Sequence, residues 1–234
     1  MLRFGRYPSG GRRRVAQKKK IKPATRKEIE AIKQLLLQHY PDSVTELHYR
    51  NLYELLVSVM LSAQCTDKRV NLITPALFEK YPDIPSLAQA DVEEVKEYIK
   101  TCSFFNNKAK NLVAMARMVM EQYHGEIPLD EKELVKLPGV GQKTAHVVLI
   151  EYTGANLMAV DTHVFRVAHR LGLSDAPTVE GTERDLVRKF KTDLHRLHQA
   201  MVLFGRYICK AVKPECENCF LTEYCKSKES FKAR

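Results

Sequence analysis

From residue 24 onward the apolar residues of this chain recur at helical spacing, and that single pattern limits the fold to packed helices. Ile29, Ile32, Leu35 and Leu36 mark a first amphipathic helix. LYELLVSVMLSAQ, residues 52–64, is apolar nearly all round, as a helix buried on every side must be. Asp67 can cap a helix reaching about Tyr81, and further helices fit residues 91–100 and 108–125, the second ending on a helix-stopping glycine. Between those two lies CSFFNN, which reads as an apolar loop tip. Asp130 can cap the short EKELVKL helix, and QKTAHVVLIEYTG carries the next one to Gly154. Asp161 stands at the N-cap position of a helix beginning THVF, and two more helices fit residues 179–190 and 193–209. No segment alternates with the period of two that a half-buried strand requires. The expected fold class is all-α.

A chain of 234 residues can bury one substantial core or two modest ones, and 44% apolar with 28% charged residues is the balance of an ordinary soluble protein. No apolar run approaches the ~20 residues of a membrane span, so no membrane partner is expected. The formal net charge of +10 points toward a polyanion, but residues 1–22 hold nine Lys/Arg and no acid, which leaves the rest of the chain at +1. The basic signal is mainly a tail, residues 1–23, whose Gly, Ser and clustered charge predict disorder. A non-specific nucleic-acid arm, an Arg-rich transit sequence and a solubilising tail all fit that composition.

Four of the six cysteines fall within the 17 residues CKAVKPECENCFLTEYC: Cys209, Cys216, Cys219 and Cys225. No secretory signal precedes them, so intracellular thiols rather than a disulfide framework are expected. Four thiols so close in sequence can converge on one metal centre, with the Cys-x2-Cys pair as its bidentate start. Zinc sites more often pair two Cys-x2-Cys units, whereas the asymmetric loops here suit an iron-sulfur cubane; spacing alone leaves both open. Four thiolates leave no vacant position on the metal, so the role is structural. Cys65 and Cys102 read as ordinary, partly buried thiols, and the eight histidines form no metal-like cluster.

LPGVGQKT, residues 137–144, reads as a tight turn feeding a helix. Gly139 and Gly141 allow a hairpin whose backbone amides face outward, and with the helix N-terminus behind them they form an anion site suited to a phosphate. A nucleotide P-loop needs glycine immediately before its lysine, and Gln142 stands there instead. Helix, PGVG hairpin and helix make a helix-hairpin-helix element, which contacts nucleic-acid backbone without reading bases. A plain turn between helices is the alternative. Lys143 sits in the first turn of the second helix, where the macrodipole disfavours a cation by up to ~1 kcal/mol.

LSAQCTD, TCSFFNNKAKNL, LPGVGQKTAHVV, AVDTHVFRV, GRYIC and the four-cysteine loop follow one another in this order. On these motifs the chain resembles the endonuclease III family of DNA base-excision glycosylases, from about residue 25 onward. The resemblance implies a six-helix domain over residues 45–155, and a discontinuous helical domain of 24–44 plus 156–234 carrying a 4Fe-4S cluster on Cys209, Cys216, Cys219 and Cys225. It implies a monomeric bifunctional glycosylase/AP lyase that excises damaged pyrimidines from duplex DNA. Lys143 would be the nucleophile, with Asp161 on the opposite wall of the interdomain cleft. Gln64 would fill the gap left by the extruded base and Phe104 would wedge into the other strand. Many relatives have an aliphatic residue preceded by glycine where Ser103 and Phe104 stand here. Asp67 would lie near the active site, and Lys210 and Lys213 within the cysteine loop can reach phosphates. The implied setting is intracellular: cytoplasm or nucleoid in a bacterium, nucleus or mitochondrion in a eukaryote.

Excising a base calls for a nucleophile at the sugar's C1′, and an amine serves only when neutral; an ordinary lysine pKa near ~10.4 leaves almost none neutral at pH 7. Desolvation and a positively polarised helix end depress that pKa, while a nearby carboxylate raises it. Displacement leaves a Schiff base with the opened sugar, which acidifies the C2′ proton, so β-elimination cuts the strand on the 3′ side. Asp161 can stabilise oxocarbenium-like charge and handle protons while also capping its helix. The base must first leave the stack. A monofunctional mismatch glycosylase of the adenine-excising type would carry a catalytic glutamate where this chain has Ser58, and usually lacks the hairpin lysine. A non-catalytic helix-hairpin-helix DNA-binding protein would need neither Lys143 nor Asp161. His163 reads as a capping-turn histidine.

Overall fold

The computed structural model describes residues 21–230, so the basic tail expected at 1–23 lies almost wholly outside the described residues. Among those described, the chain forms eleven α-helices and no strand, the all-α fold that the periodicity predicts. They are α1 (Arg26–His39), α2 (Leu52–Ser62), α3 (Asp67–Lys80), α4 (Ile84–Ala88), α5 (Val92–Ile99), α6 (Phe105–Gln122), α7 (Glu131–Leu134), α8 (Gln142–Thr153), α9 (Thr162–Arg170), α10 (Val179–Phe190) and α11 (Leu194–Tyr207). Three single 3-10 turns follow at 216–218, 222–224 and 228–230. None of the described helices is long and apolar enough to cross a membrane.

Two helix starts and one short helix differ from the sequence reading. Thr66, not Asp67, caps α3: its side chain accepts from the Arg69 amide at 3.2 Å, which releases the Asp67 carboxylate for other work. The α6 helix begins at Phe105, so half of CSFFNN is helical. The five residues of α4 are too few to display a period, but Asp83 and Ser86 close a capping box around them.

The helices pack around two separate hydrophobic cores. The first gathers α2 to α8, seven helices within residues 45–155, around Leu55, Leu61, Leu77, Leu112 and Met115, each fully buried. Helix α2 is buried at every position from Tyr53 to Leu61, which is why its sequence shows no polar face. The second core joins Ile32 and Leu36 of α1 to Val164, Leu186, Leu197 and Phe204 of the C-terminal helices. Each such leucine contributes roughly 1.5–3 kcal/mol by leaving water. Polar ties place α1 with the C-terminal half: Lys33 donates to Thr192 Oγ1 at 2.6 Å and pairs with Asp193 at 2.8 Å, while the Ala24 amide donates to the Gly172 carbonyl at 2.9 Å.

Candidate active site

The hairpin is built by burying Leu137 and Val140 in the first core while the residues between and after them face outward. Its two glycines have different reasons. Gly139 adopts φ +77°, and a Cβ there would stand 2.8 Å from Asn111 Cβ on α6, so both backbone and packing demand glycine. Gly141 has ordinary φ −89° as the N-cap of α8, and a Cβ there would meet nothing within 4 Å. The fold leaves Gly141 free, and the open space in front of it admits the close approach of a partner's backbone. No side chain caps α8, so its first amides also point into that space.

Lys143, in the first turn of α8, lines an open cleft between the two cores. It is exposed to solvent in the free protein. Asp161 lines the same cleft from the N-terminus of α9. Its Oδ1 accepts from the Val164 amide at 2.8 Å, which fixes the carboxylate as a cap with one oxygen left to face the cleft. Among the described lining residues Lys143 is the one primary amine.

Asp67, the residue implied near the site, also lines the cleft. Its partner is one the sequence reading missed: Arg206 of α11, Nη2 to Oδ2 at 2.8 Å, with Glu46 on the other guanidinium nitrogen. Also missed was His198 on α11, buried in the cleft wall with Nδ1 unpartnered. Burial pushes its imidazole down to about 4, against the pull of Asp161 and a backbone bond to Ala159, with Lys143 adding to the depression. Both belong to α11, and Arg206 lies within the GRYIC stretch, whose order in the chain was legible while its contacts were not. His163 does not line the cleft; its Nδ1 lies 3.2 Å from Arg166 Nη2, as befits a residue of the capping turn. Ser58 is fully buried in α2 and offers no acid to the cleft.

Gln64 and Phe104 stand exposed at the ends of two turns, Phe104 with 63% of its surface in solvent. Both hold left-handed backbone, φ 55° and 58°, as does Lys213 at 49°. Such geometry is strained for residues with a Cβ, and strain of this kind gathers at functional sites. Lys213 is exposed, whereas Lys210 is paired with Glu215 at 2.7 Å.

Cys209, Cys216, Cys219 and Cys225 converge on one small cavity walled by Leu171, Phe204, Ile208 and Pro214. Four thiols gathered on one cavity, with the Cys216–Cys219 pair as a bidentate start, can hold a single metal centre or cluster. Burial pushes the Cys219 and Cys225 thiols up, and the crowding of the other cysteines adds to it; four thiolates there need the charge of a bound cluster. Arg170 donates to Cys209 Sγ at 3.3 Å and to the Lys210 carbonyl at 2.7 Å, and Arg166 donates to the Cys209 carbonyl at 3.0 Å. Both arginines belong to α9, so the helix that presents Asp161 at one end grips the cysteine loop at the other.

Residues 57–192 match the model of the HhH-GPD superfamily of base excision DNA repair proteins, and residues 209–225 match the iron-sulfur binding domain of endonuclease III. Fold and cleft thus define a helix-hairpin-helix DNA glycosylase. Endonuclease III of Rickettsia felis is 46% identical over 84% of this chain and 93% of its own length, and that of Escherichia coli K12 is 41% identical over 83% and 92%. A solved trapped endonuclease III–DNA covalent intermediate, in an estranged-adenine complex, superposes with a TM-score of 0.85 at 40% identity, over 90% of this chain and 99% of that one. The chain belongs to the endonuclease III family. It is a DNA glycosylase/AP lyase with a 4Fe-4S cluster.

Proposed function

We propose that this enzyme acts on duplex DNA bearing damaged pyrimidines or abasic sites, as a monomer in an intracellular setting, with Lys143 as nucleophile and Asp161 as its electrostatic partner. The observation that carries the reading is the pairing itself: an amine from the hairpin of one core and a carboxylate from a helix cap of the other face a single cleft. The solved relative is trapped as a covalent intermediate with DNA, and Lys143 supplies the amine for such a bond here.

DNA backbone approaches the open face of Gly141 and the α8 N-terminus, bringing the sugar to Lys143 and covering the ammonium. Covering strips its water and favours the neutral amine, which attacks C1′ as the base departs. The free oxygen of Asp161 offsets positive charge developing on the sugar and handles the protons of ring opening. The Schiff base then loses its C2′ proton and the 3′ phosphate leaves. Gln64 occupies the space vacated by the extruded base and Phe104 wedges into the opposite strand, from two turns brought together at Cys65 and Cys102. Lys213 meets a phosphate from the cysteine loop; Lys210 does so only by giving up Glu215. The four cysteines hold the cluster, which supplies structural cross-linking of that loop. Borohydride reduction in the presence of an abasic duplex tests the reading: wild type forms a covalent adduct and Lys143→Ala does not.

A further inference from the structure

The two turns that present Gln64 and Phe104 are linked by a pair of thiols that the repair chemistry does not use. Cys65 follows Gln64 directly, Cys102 lies two residues before Phe104, and their Sγ atoms are 3.2 Å apart across 37 positions of sequence. Cys102 is buried and Cys65 is half-buried, so Cys65 is the more accessible thiol of the two. Closing a disulfide to ~2.05 Å asks each sulfur to move by roughly half an ångström. The turns are already tied at their bases, where Lys108 Nζ donates to the Leu61 carbonyl at 2.7 Å.

We propose that Cys65 and Cys102 are a reversible modification site: low-molecular-weight disulfides oxidise them to a disulfide that tethers the Gln64 and Phe104 turns and lowers activity on duplex DNA. The effect on DNA rests on the function proposed above; the bond itself does not. The Cys65 thiolate attacks one sulfur of the oxidant and expels the other half as a thiolate. Cys102 then releases its proton to solvent and attacks the Cys65 sulfur of the mixed disulfide, expelling the second half. The two protein thiols lose two electrons and two protons, and the oxidant is reduced to two thiols.

The order of attack follows from the surroundings. Burial pushes the Cys102 thiol up to about 12, with the hydrogen bond and charge of Cys65 adding to it, so Cys102 is no first nucleophile. Once Cys65 is capped its contribution disappears, while Lys108 and Arg69 continue to favour the Cys102 thiolate. Because α2 and α6 hold the far ends of both turns in the core, the adjustment falls on Gln64 and Phe104, whose left-handed backbone leaves little slack. Drawing the turns together narrows the gap between the two inserting side chains. Disulfides persist poorly in reducing compartments, so the bond is transient, as in a sensor.

The test treats the full, cluster-loaded protein with glutathione disulfide while the cluster absorbance near ~400 nm is followed. Peptide mapping should then recover a Cys65–Cys102 cross-link in wild type, and none in Cys65→Ser or Cys102→Ala. Cleavage of an abasic duplex should fall on oxidation in wild type alone and return with dithiothreitol. No cross-link while the cluster band stays intact overturns the proposal. A cross-link with unchanged cleavage overturns the coupling to DNA. Reduced protein that never cleaves the duplex sinks the proposed function, and the coupling with it, while the peptide map still decides the bond.

Discussion

Arg206 of α11 holds Asp67 of α3 at 2.8 Å across the cleft that Lys143 and Asp161 share, with Glu46 on the other side of the guanidinium. The contact joins the two cores beside the proposed chemistry. Removing the arginine leaves two carboxylates without a cation, whereas Asp67→Asn removes one charge and keeps a hydrogen-bonding group. Because the pair is partly solvated, Arg206→Ala should cost about 1–3 kcal/mol and Asp67→Asn less. Urea denaturation of the two variants checks the order; equal midpoints to wild type would show that the bridge is decorative.

The hairpin glycines separate a demand of the fold from a demand of the partner. Gly139→Ala places a methyl against Asn111 on a left-handed backbone and should lose about 1–3 kcal/mol of stability. Gly141→Ala meets nothing in the protein and should melt like wild type, yet bind an abasic duplex more weakly. Thermal melts and a binding titration on the same two variants make the comparison.

Asp161 has two roles that substitution can part. Asn is as good an N-cap as Asp, so Asp161→Asn should keep stability within about 0.5 kcal/mol while slowing lesion cleavage severalfold or more. Asp161→Ala should be equally slow and lose a further ~1 kcal/mol of stability with the cap. Single-turnover rates and melting curves check this; an Asn variant as fast as wild type would leave Asp161 a cap alone.

Buried His198 sets an acid limit on the fold. Its folded value near 4 lies below the ordinary unfolded value near ~6.5, so between those values the unfolded chain binds more protons and stability falls as pH falls. The loss is on the order of 3 kcal/mol at most by pH 4 and is absent above pH 7. His198→Gln should flatten the melting temperature between about pH 7 and pH 4.5 relative to wild type. An unchanged slope in the variant would place the acid sensitivity elsewhere.

What the sequence disclosed is what is local. The PGVG hairpin, the cap at Asp161 and the convergence of four cysteines each arise within a few residues, and each stands where local chemistry requires. Arg206 and His198 were not legible because their partners lie on other helices: Asp67 is 139 positions away from Arg206 and gives no spacing to read. Asp67 itself was misassigned as a cap because Thr66 beside it is also a capping residue, and only the hydrogen bond to Arg69 decides between them. The cysteine spacing leaves zinc and iron-sulfur open, and the match of residues 209–225 to the iron-sulfur binding domain of endonuclease III decides for the cluster. Likewise the proximity of Cys65 and Cys102 depends on how α2 ends and α6 begins, which no periodicity encodes.

The proposed bond between the Lys143 amine and DNA is tested most directly by locating the trapped sugar. Wild-type protein should be trapped with an abasic duplex by borohydride, digested, and the modified peptide sequenced by mass spectrometry. The sugar remnant should be found on Lys143 within LPGVGQKTAHVV. A remnant on another amine, or catalytically active enzyme that yields no adduct, would contradict it.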